Sequence, residues 1–489
     1  MPTIRPRLIL LATTIVTFMV PFDGSVVNLA LPSIGTSLSA QLSSLVWIPV
    51  AYLLVNAALQ APMGHMGDLW GRKKVISFGV ALFTLGSVLA ALSPNVLALI
   101  ASRIVQGIGG ATMGSGAIAI VTDTFHGDRG KALGINTSAV YSGQSFGPII
   151  GAILVQFAGW RSIFFVNLPI GIISLLLILL YVPKEAKHET RKGFDLPGSV
   201  LFSLFLAGLM LFLSQTELSL SEFDALIFGL VSVASVIGFV VTENKYSKDP
   251  VIDLKLFSHN RLFAAGNLTA IFNYATNQGT LLVVSLYLQL VHGYSPISAA
   301  LFLVAQPIVQ TITSVFSGAL SDRVDTRILT SVGIAFRALG LFGLSFLTTN
   351  SAPESIWIPM AIIGFGHGLF SPPNTNSIMS SVSADRRGIA SGIMGTVRTA
   401  SSSIGIVVMT AIIAGAMPAG AFASASGGTA TLTGALAQTF VTGMHYAFLF
   451  AAIFSAIGIL TSLVRGKEEK SLPKGSSHDA LATDQTRRT

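Results

Sequence analysis

Two ionisable residues stand where an apolar chain should have none. Asp23 lies inside the run 8–30 and Arg103 inside the run 96–121, each otherwise free of charge. Of the 21 acidic residues, Asp23 is the one placed well inside an apolar layer, where an ionised side chain costs roughly 2.5–3.5 kcal/mol on insertion scales. A carboxylate is kept at such a place when it faces water, when a proton can neutralise it, or when a cation pairs with it. The first two make it a proton carrier, whose protonation substrate or conformation could switch. The third, a permanent ion pair with a helix arginine, makes it structural. Arg103 itself stays charged, so its chemical use is to set the charge state of a partner. Gln106, Gly107 and Gly110 follow it on one face at helical spacing. The sequence leaves open whether Asp23 and Arg103 touch.

Other reactive chemistry is scarce. Cysteine is absent, which excludes disulfides, thiol catalysis and Cys-ligated metals. The eight histidines are dispersed and no H-E-x-x-H occurs, so no metal site is expected. No phosphate-cradling G-x-x-x-x-G-K-[ST] loop is present either. His367 titrates near neutral pH in the ordinary case and could carry a proton, a hydrogen-bonded structural role being the alternative. Polar residues recur on single helical faces: Tyr52, Asn56 and Gln60; Asn273 and Asn277; Gln306, Gln310 and Ser314; His367, Ser371 and Asn374. With Gln106, Tyr141 and Arg398 these are the candidate lining of a water-filled cavity, although hydrogen bonds between helices explain polar stripes equally well. Aromatic residues such as Phe22, Trp47, Tyr141, Tyr274 and Phe370 could stack on flat apolar cations.

The elements that must position these residues are apolar runs of transmembrane length. The chain of 489 residues is 52% hydrophobic and 10% charged, too little charge for the surface of a water-soluble protein of this size. Taking about 20 residues per crossing, fourteen helices are expected, near 8–30, 44–63, 75–93, 96–121, 132–157, 162–182, 196–214, 224–243, 262–290, 297–320, 327–348, 355–379, 388–414 and 441–465. If the N-terminus is cytoplasmic, the 29 Lys and Arg fall in inner loops and tails, apart from Arg103, Arg337 and Arg398 within helices and Arg161 outside. That is the asymmetry of a multi-pass plasma-membrane protein with both termini inside. The basic net charge is scattered through loops, so nucleic acid is not an expected partner.

A charged, glycine-rich turn, Gly64-His65-Met66-Gly67-Asp68-Leu69-Trp70-Gly71-Arg72-Lys73-Lys74, returns weakened 254 residues later as Gly318-Ala319-Leu320-Ser321-Asp322-Arg323. Gly107 to Gly110 against Gly364 to His367, and Asp128-Arg129 against Asp385-Arg386, share an offset of 257. The chain therefore reads as a duplicated six-helix unit: one half over 1–182, two inserted helices with charged linkers over 183–261, a second half over 262–465, and a polar cytoplasmic tail over 466–489. Two such halves suit alternating access, with the site between them near mid-depth. Residues 416–438, rich in Gly, Ala, Ser and Thr, read as a flexible outer loop. In the turn, tight reversal calls for glycine at Gly64 and Gly71, and Asp68, Arg72 and Asp123 can form an ion-pair cluster. Gly143, Gly147 and Gly151 line one groove of the fifth helix, and Pro148 permits a bend there.

These stretches resemble the major facilitator superfamily and, within it, the fourteen-helix drug:proton antiporter family. The 64–74 turn is similar to the superfamily's loop after helix 2, with departures at Met66, Gly67 and Leu69. Arg103 to Ala111 resembles its helix 4 motif, and Ser142 to Gly151 its helix 5 antiporter motif. Asp23 to Pro32 and Trp160 to Gly171 resemble stretches of the fourteen-helix branch. The resemblance implies that the Asp68, Arg72 and Asp123 cluster is a cytoplasmic latch between two states. It also implies that Arg103 takes part in proton transfer beside Asp23, and that Arg398 belongs to the family's helix 13. The expected function is a proton-coupled multidrug exporter that uses the proton gradient and no cofactor. A monomer is expected, taking up small amphipathic molecules. The nearest alternative is an exporter dedicated to one endogenous lipid, siderophore or metabolite. An intramembrane enzyme would need converging catalytic groups that the sequence lacks, and a non-transporting receptor would show no flux.

Overall fold

The computed structural model describes residues 5–40, 42–125, 127–183, 195–213, 215, 221–245, 255–418 and 431–465. Among them, all regular structure is helical. Six helices form the first half: α1 (Pro6–Leu38), α2 (Leu42–Trp70), α3 (Arg72–Ala91), α4 (Val96–Thr124), α5 (Arg129–Ala158) and α6 (Ser162–Tyr181). A hairpin of α7 (Leu196–Leu213) and α8 (Glu222–Lys245) follows. The second half holds α9 (Arg261–Leu286, prolonged by the π-turn Tyr287–Val291), α10 (Pro296–Leu303 and Ala305–Ser321) and α11 (Thr326–Leu344). It closes with α12 (Trp357–Ser380), α13 (Arg387–Ala416) and α14 (Gly434–Val464). These match the fourteen apolar runs one for one.

Helix ends differ from the apolar runs in both directions: α2 and α14 run well past them, while α11 stops at Leu344, short of the expected 348. The turn expected over 64–74 is helical through Trp70, and only Gly71 separates α2 from α3. Gly71 holds φ 93, the left-handed region in which a side chain would be strained. The loop expected over 416–438 is shorter too, because α14 starts at Gly434 and Leu432 N–H donates to Leu290 C=O at 2.7 Å. Residues 184–194 and 246–254 of the charged linkers, residues 419–430 and the 466–489 tail lie outside the described residues.

Within the first half, α1 packs on α5, and α3 and α2 on α4; within the second, α11 and α10 pack on α12, and α9 on α13. Two seams join the halves, α5 with α10 and α2 with α13. The α7–α8 hairpin lies outside the second seam, where Ser203 Oγ donates to Ala58 C=O at 3.1 Å. Eleven helices among the described residues are long and apolar enough to cross a bilayer by themselves; the described part of α2 is not among them, and neither are α9 and α12. Both carry the amides and the histidine that turn towards the molecular centre.

Candidate functional site

Asp23 and Arg103 meet. Arg103 Nη1 forms an ion pair with Asp23 Oδ2, and both side chains are fully buried. Gln106 Nε2 donates to Asp23 Oδ1 at 3.2 Å and to Ser87 Oγ at 2.6 Å, while its Oε1 accepts from Arg103 Nη1 at 2.7 Å. Asn167 Nδ2 adds a bond to Asp23 Oδ1 at 2.8 Å. The guanidinium also donates from Nε to Ile48 C=O at 3.3 Å and lies 4.2 Å from the Tyr52 ring centroid. Four helices thus supply partners for one charge pair, which is what a buried pair needs to offset desolvation. Gly143 and Gly147 of α5 seat α1 here: a Cβ at Gly143 would come 2.7 Å from Phe18 C=O, and one at Gly147 would strike Ser25 Oγ. Gly151 is buried on the same helix, which runs on through Pro148. The glycine stripe positions the helix that carries Asp23.

Between the halves lies a cavity of about 370 Å³, within the range that takes drug-sized molecules. Tyr52, Asn56, Tyr141, Asn277, His367 and Arg398 line it, as expected of them. Five expected lining residues do not, Ser314 being one of them. Gln106 faces Asp23 and Ser87 instead of the cavity. Gln306 is held by a hydrogen bond from its Nε2 to Asn277 Oδ1, at 2.9 Å. Asn273 and Gln310 are buried away from the lining. Polarity at the right spacing selects the inner side of a helix, which here is divided between the cavity and the contacts behind it. Asp23 is likewise one layer back, with Arg103 and Gly24 at the wall in front.

The second half holds a different arrangement. Arg337 is fully buried and donates to Thr276 Oγ1 at 3.0 Å, Asn277 Oδ1 at 3.3 Å and His367 Nδ1 at 3.1 Å. Asn277 stands 254 residues after Asp23, so an amide takes the acid's place. An arginine only donates, so His367 Nδ1 accepts and the ring proton sits on Nε2. Protonating Nδ1 would break that bond beside a second cation, so in this arrangement His367 is a hydrogen-bonded neutral imidazole.

At the end bearing the 64–74 stretch, hereafter the loop end, the halves are tied by matching devices. Asp68 accepts from Gly388 N–H and Ile389 N–H, both at 2.9 Å, at the start of α13. Asp322 accepts from Gly130 N–H at 2.8 Å and Lys131 N–H at 3.1 Å, at the start of α5. Arg72 bonds Asp68 at 2.8 Å, pairs with Asp123 and reaches Ala384 C=O at 2.6 Å; Asp123 also pairs with Arg387. A Cβ at Gly64 would strike Gly388 C=O, so the seam closes backbone to backbone. The structure brings Asp68, Arg72 and Asp123 together and adds Arg387, which the sequence did not single out; the Asp322 cap on the other seam was not singled out either. Asn167 and Ser87 were also missed, although Asn167 is the one amide in the run 162–182.

Two six-helix halves around a polar cavity, sealed at one end by paired helix caps, define a multi-pass membrane transporter. The chain matches the family model described as Major Facilitator Superfamily over residues 13–406, and it belongs to that superfamily. It is 31% identical to riboflavin transporter RibZ of Clostridioides difficile over 83% of this chain and 88% of the relative. It is 32% identical to multidrug resistance protein Stp of Mycobacterium tuberculosis over 83% of this chain and 76% of the relative. The fold is shared with the proton:xylose symporter XylE, with a TM-score of 0.63 at 14% identity over 93% of this chain and 94% of the other.

Proposed function

We propose that this protein is a proton-coupled exporter of small amphipathic compounds in the plasma membrane, with Asp23 as the proton-binding group and Arg103 as the cation that sets its charge state. The observation that supports this is the position of the pair: Asp23 is sealed behind a cavity wall to which its partner, Arg103, contributes. A change of conformation or a bound substrate that draws Arg103 away frees the carboxylate to take a proton. The distribution of Lys and Arg supports a cytoplasmic loop end and cytoplasmic termini, and on that reading the described state is closed to the cytoplasm. One proton entering down 100 mV supplies about 2.3 kcal/mol. At about 1.4 kcal/mol per decade that sustains a gradient of roughly 40-fold for a neutral substrate. No cofactor takes part, and a monomer contains the whole site.

Resemblance to a relative named for multidrug resistance supports a broad substrate range. The relative named for riboflavin supports a second reading, export of one endogenous compound. The test is substrate-driven proton movement in liposomes containing the purified protein, with several unrelated compounds, comparing wild type with Asp23→Asn. Flux with many compounds, lost in the variant, is the expected result. Flux with one compound alone selects the second reading, and flux that survives Asp23→Asn removes Asp23 as the carrier.

A further inference from the structure

The charges around the cavity are unequal. Its described lining includes Arg103 and Arg398 and no carboxylate. Arg103 is neutralised by Asp23, whereas Arg398, on α13, has no ion pair among the described residues. Behind the same wall Arg337 has only neutral partners. His367 lies within Coulombic range of both arginines.

The free hydrogen-bonding positions point the same way. Since Nδ1 of His367 accepts from Arg337, Nε2–H is a donor, and it is buried with no partner among the described residues although the residue lines the cavity. Arg337 Nη2 is a second unpartnered buried donor. Gln278, an amide at the wall, leaves an acceptor unused and can present either end. Two tyrosines set edge-on to the imidazole flank it, Tyr141 at 5.5 Å and Tyr274 at 5.2 Å between ring centroids. Tyr274 is held in place by a hydrogen bond to Ser371 at 2.9 Å.

We infer that the second-half wall is an anion subsite, in which Arg398 and the Nε2–H of His367 receive the carboxylate of a small organic anion whose flat apolar body rests against Tyr141 and Tyr274. This rests on the reading of the cavity as the transport site and adds the class of substrate. A guanidinium and a neutral imidazole donor can satisfy a carboxylate together, since charge-assisted bonds are about twice as strong as neutral ones. A cation brought to the same wall meets like charge and spare donors.

The experiment uses three probes with one ring system, naphthoate, naphthamide and naphthylmethylammonium. Binding to the full chain in lipid nanodiscs is followed by calorimetry, and proton flux is followed separately in liposomes. Naphthoate should bind at least about tenfold more tightly than the ammonium. Arg398→Gln should bring the naphthoate-to-naphthamide affinity ratio close to one, and Arg398→Lys should keep most of it. Preference for the ammonium, no binding of any probe, or a ratio unchanged in Arg398→Gln would overturn the subsite. If the binding order holds but no probe moves protons, the subsite stands and proton coupling fails instead.

Discussion

Asp23 and Arg103 are tolerated at this depth because each neutralises the other and because Gln106 and Asn167, both bonded to Ser87, hold the carboxylate, although Arg103 Nη2 has no partner among the described residues. Removing one member should therefore harm more than removing both. Arg103→Gln strands a buried carboxylate, with an expected loss of about 3–5 kcal/mol, read as a lowered midpoint of thermal unfolding. The double variant Asp23→Asn with Arg103→Gln should recover much of that loss. In the second half the opposite change is informative. Asn277→Asp gives Arg337 the acid that the first half already has, so the unfolding midpoint should hold or rise while naphthoate binding weakens. Both charges of this pair were legible as lone ionisable residues in their apolar runs. Their contact was not, because 80 positions separate them and the bonds that fix their geometry come from Ser87 and Asn167, ordinary polar residues on other helices.

At the scale of elements, α2 and α10 end in the same way, each offering an aspartate to the first backbone N–H groups of a helix from the other half. A cap of this kind contributes about 0.5–2 kcal/mol, and the helix dipole adds to it. Asp68→Asn and Asp322→Asn should each open the loop end in a larger fraction of molecules, and the pair together more than either. The natural absence of cysteine allows spin labels at Asp128→Cys and Arg323→Cys, exposed positions on the two sides of the α5–α10 seam. Pulsed electron resonance should show one short distance in the parent and a growing longer component in the variants; an unchanged distribution would deny the caps a gating role. The repeat of the loop was legible from the offset of 254 residues. The docking partners were not, because a helix N-terminus offers N–H groups whatever its sequence, and nothing in Gly388 or Gly130 announces which carboxylate will arrive.

For the whole molecule, the apolar runs fixed the number of helices and the duplication fixed their grouping, while the charge balance of the cavity emerged only once the halves were brought together. Asymmetry is its main property: a neutralised pair on one wall and unneutralised arginines on the other. Export of an anion would then move charge as well as mass, so its flux should rise with an interior-negative potential by about 2.3 kcal/mol per charge per 100 mV. A potassium-diffusion potential imposed on the liposomes would measure this: with one proton entering per anion the dependence should exceed that of a neutral substrate, and flux indifferent to potential would show that substrate and coupled protons together move no net charge. The polarity that serves the cavity also has a history in the life of the chain. Because α9 and α12 lack the hydropathy of the eleven helices that could cross by themselves, neither should partition into the bilayer unaided as it leaves the ribosome. Placed alone in a host protein that reports insertion by glycosylation, the α9 segment should integrate poorly, and integration should recover when α13 and α14 follow it. Synthesis of the second half is then an obligate collaboration between helices, in which early segments wait for later ones before they become transmembrane.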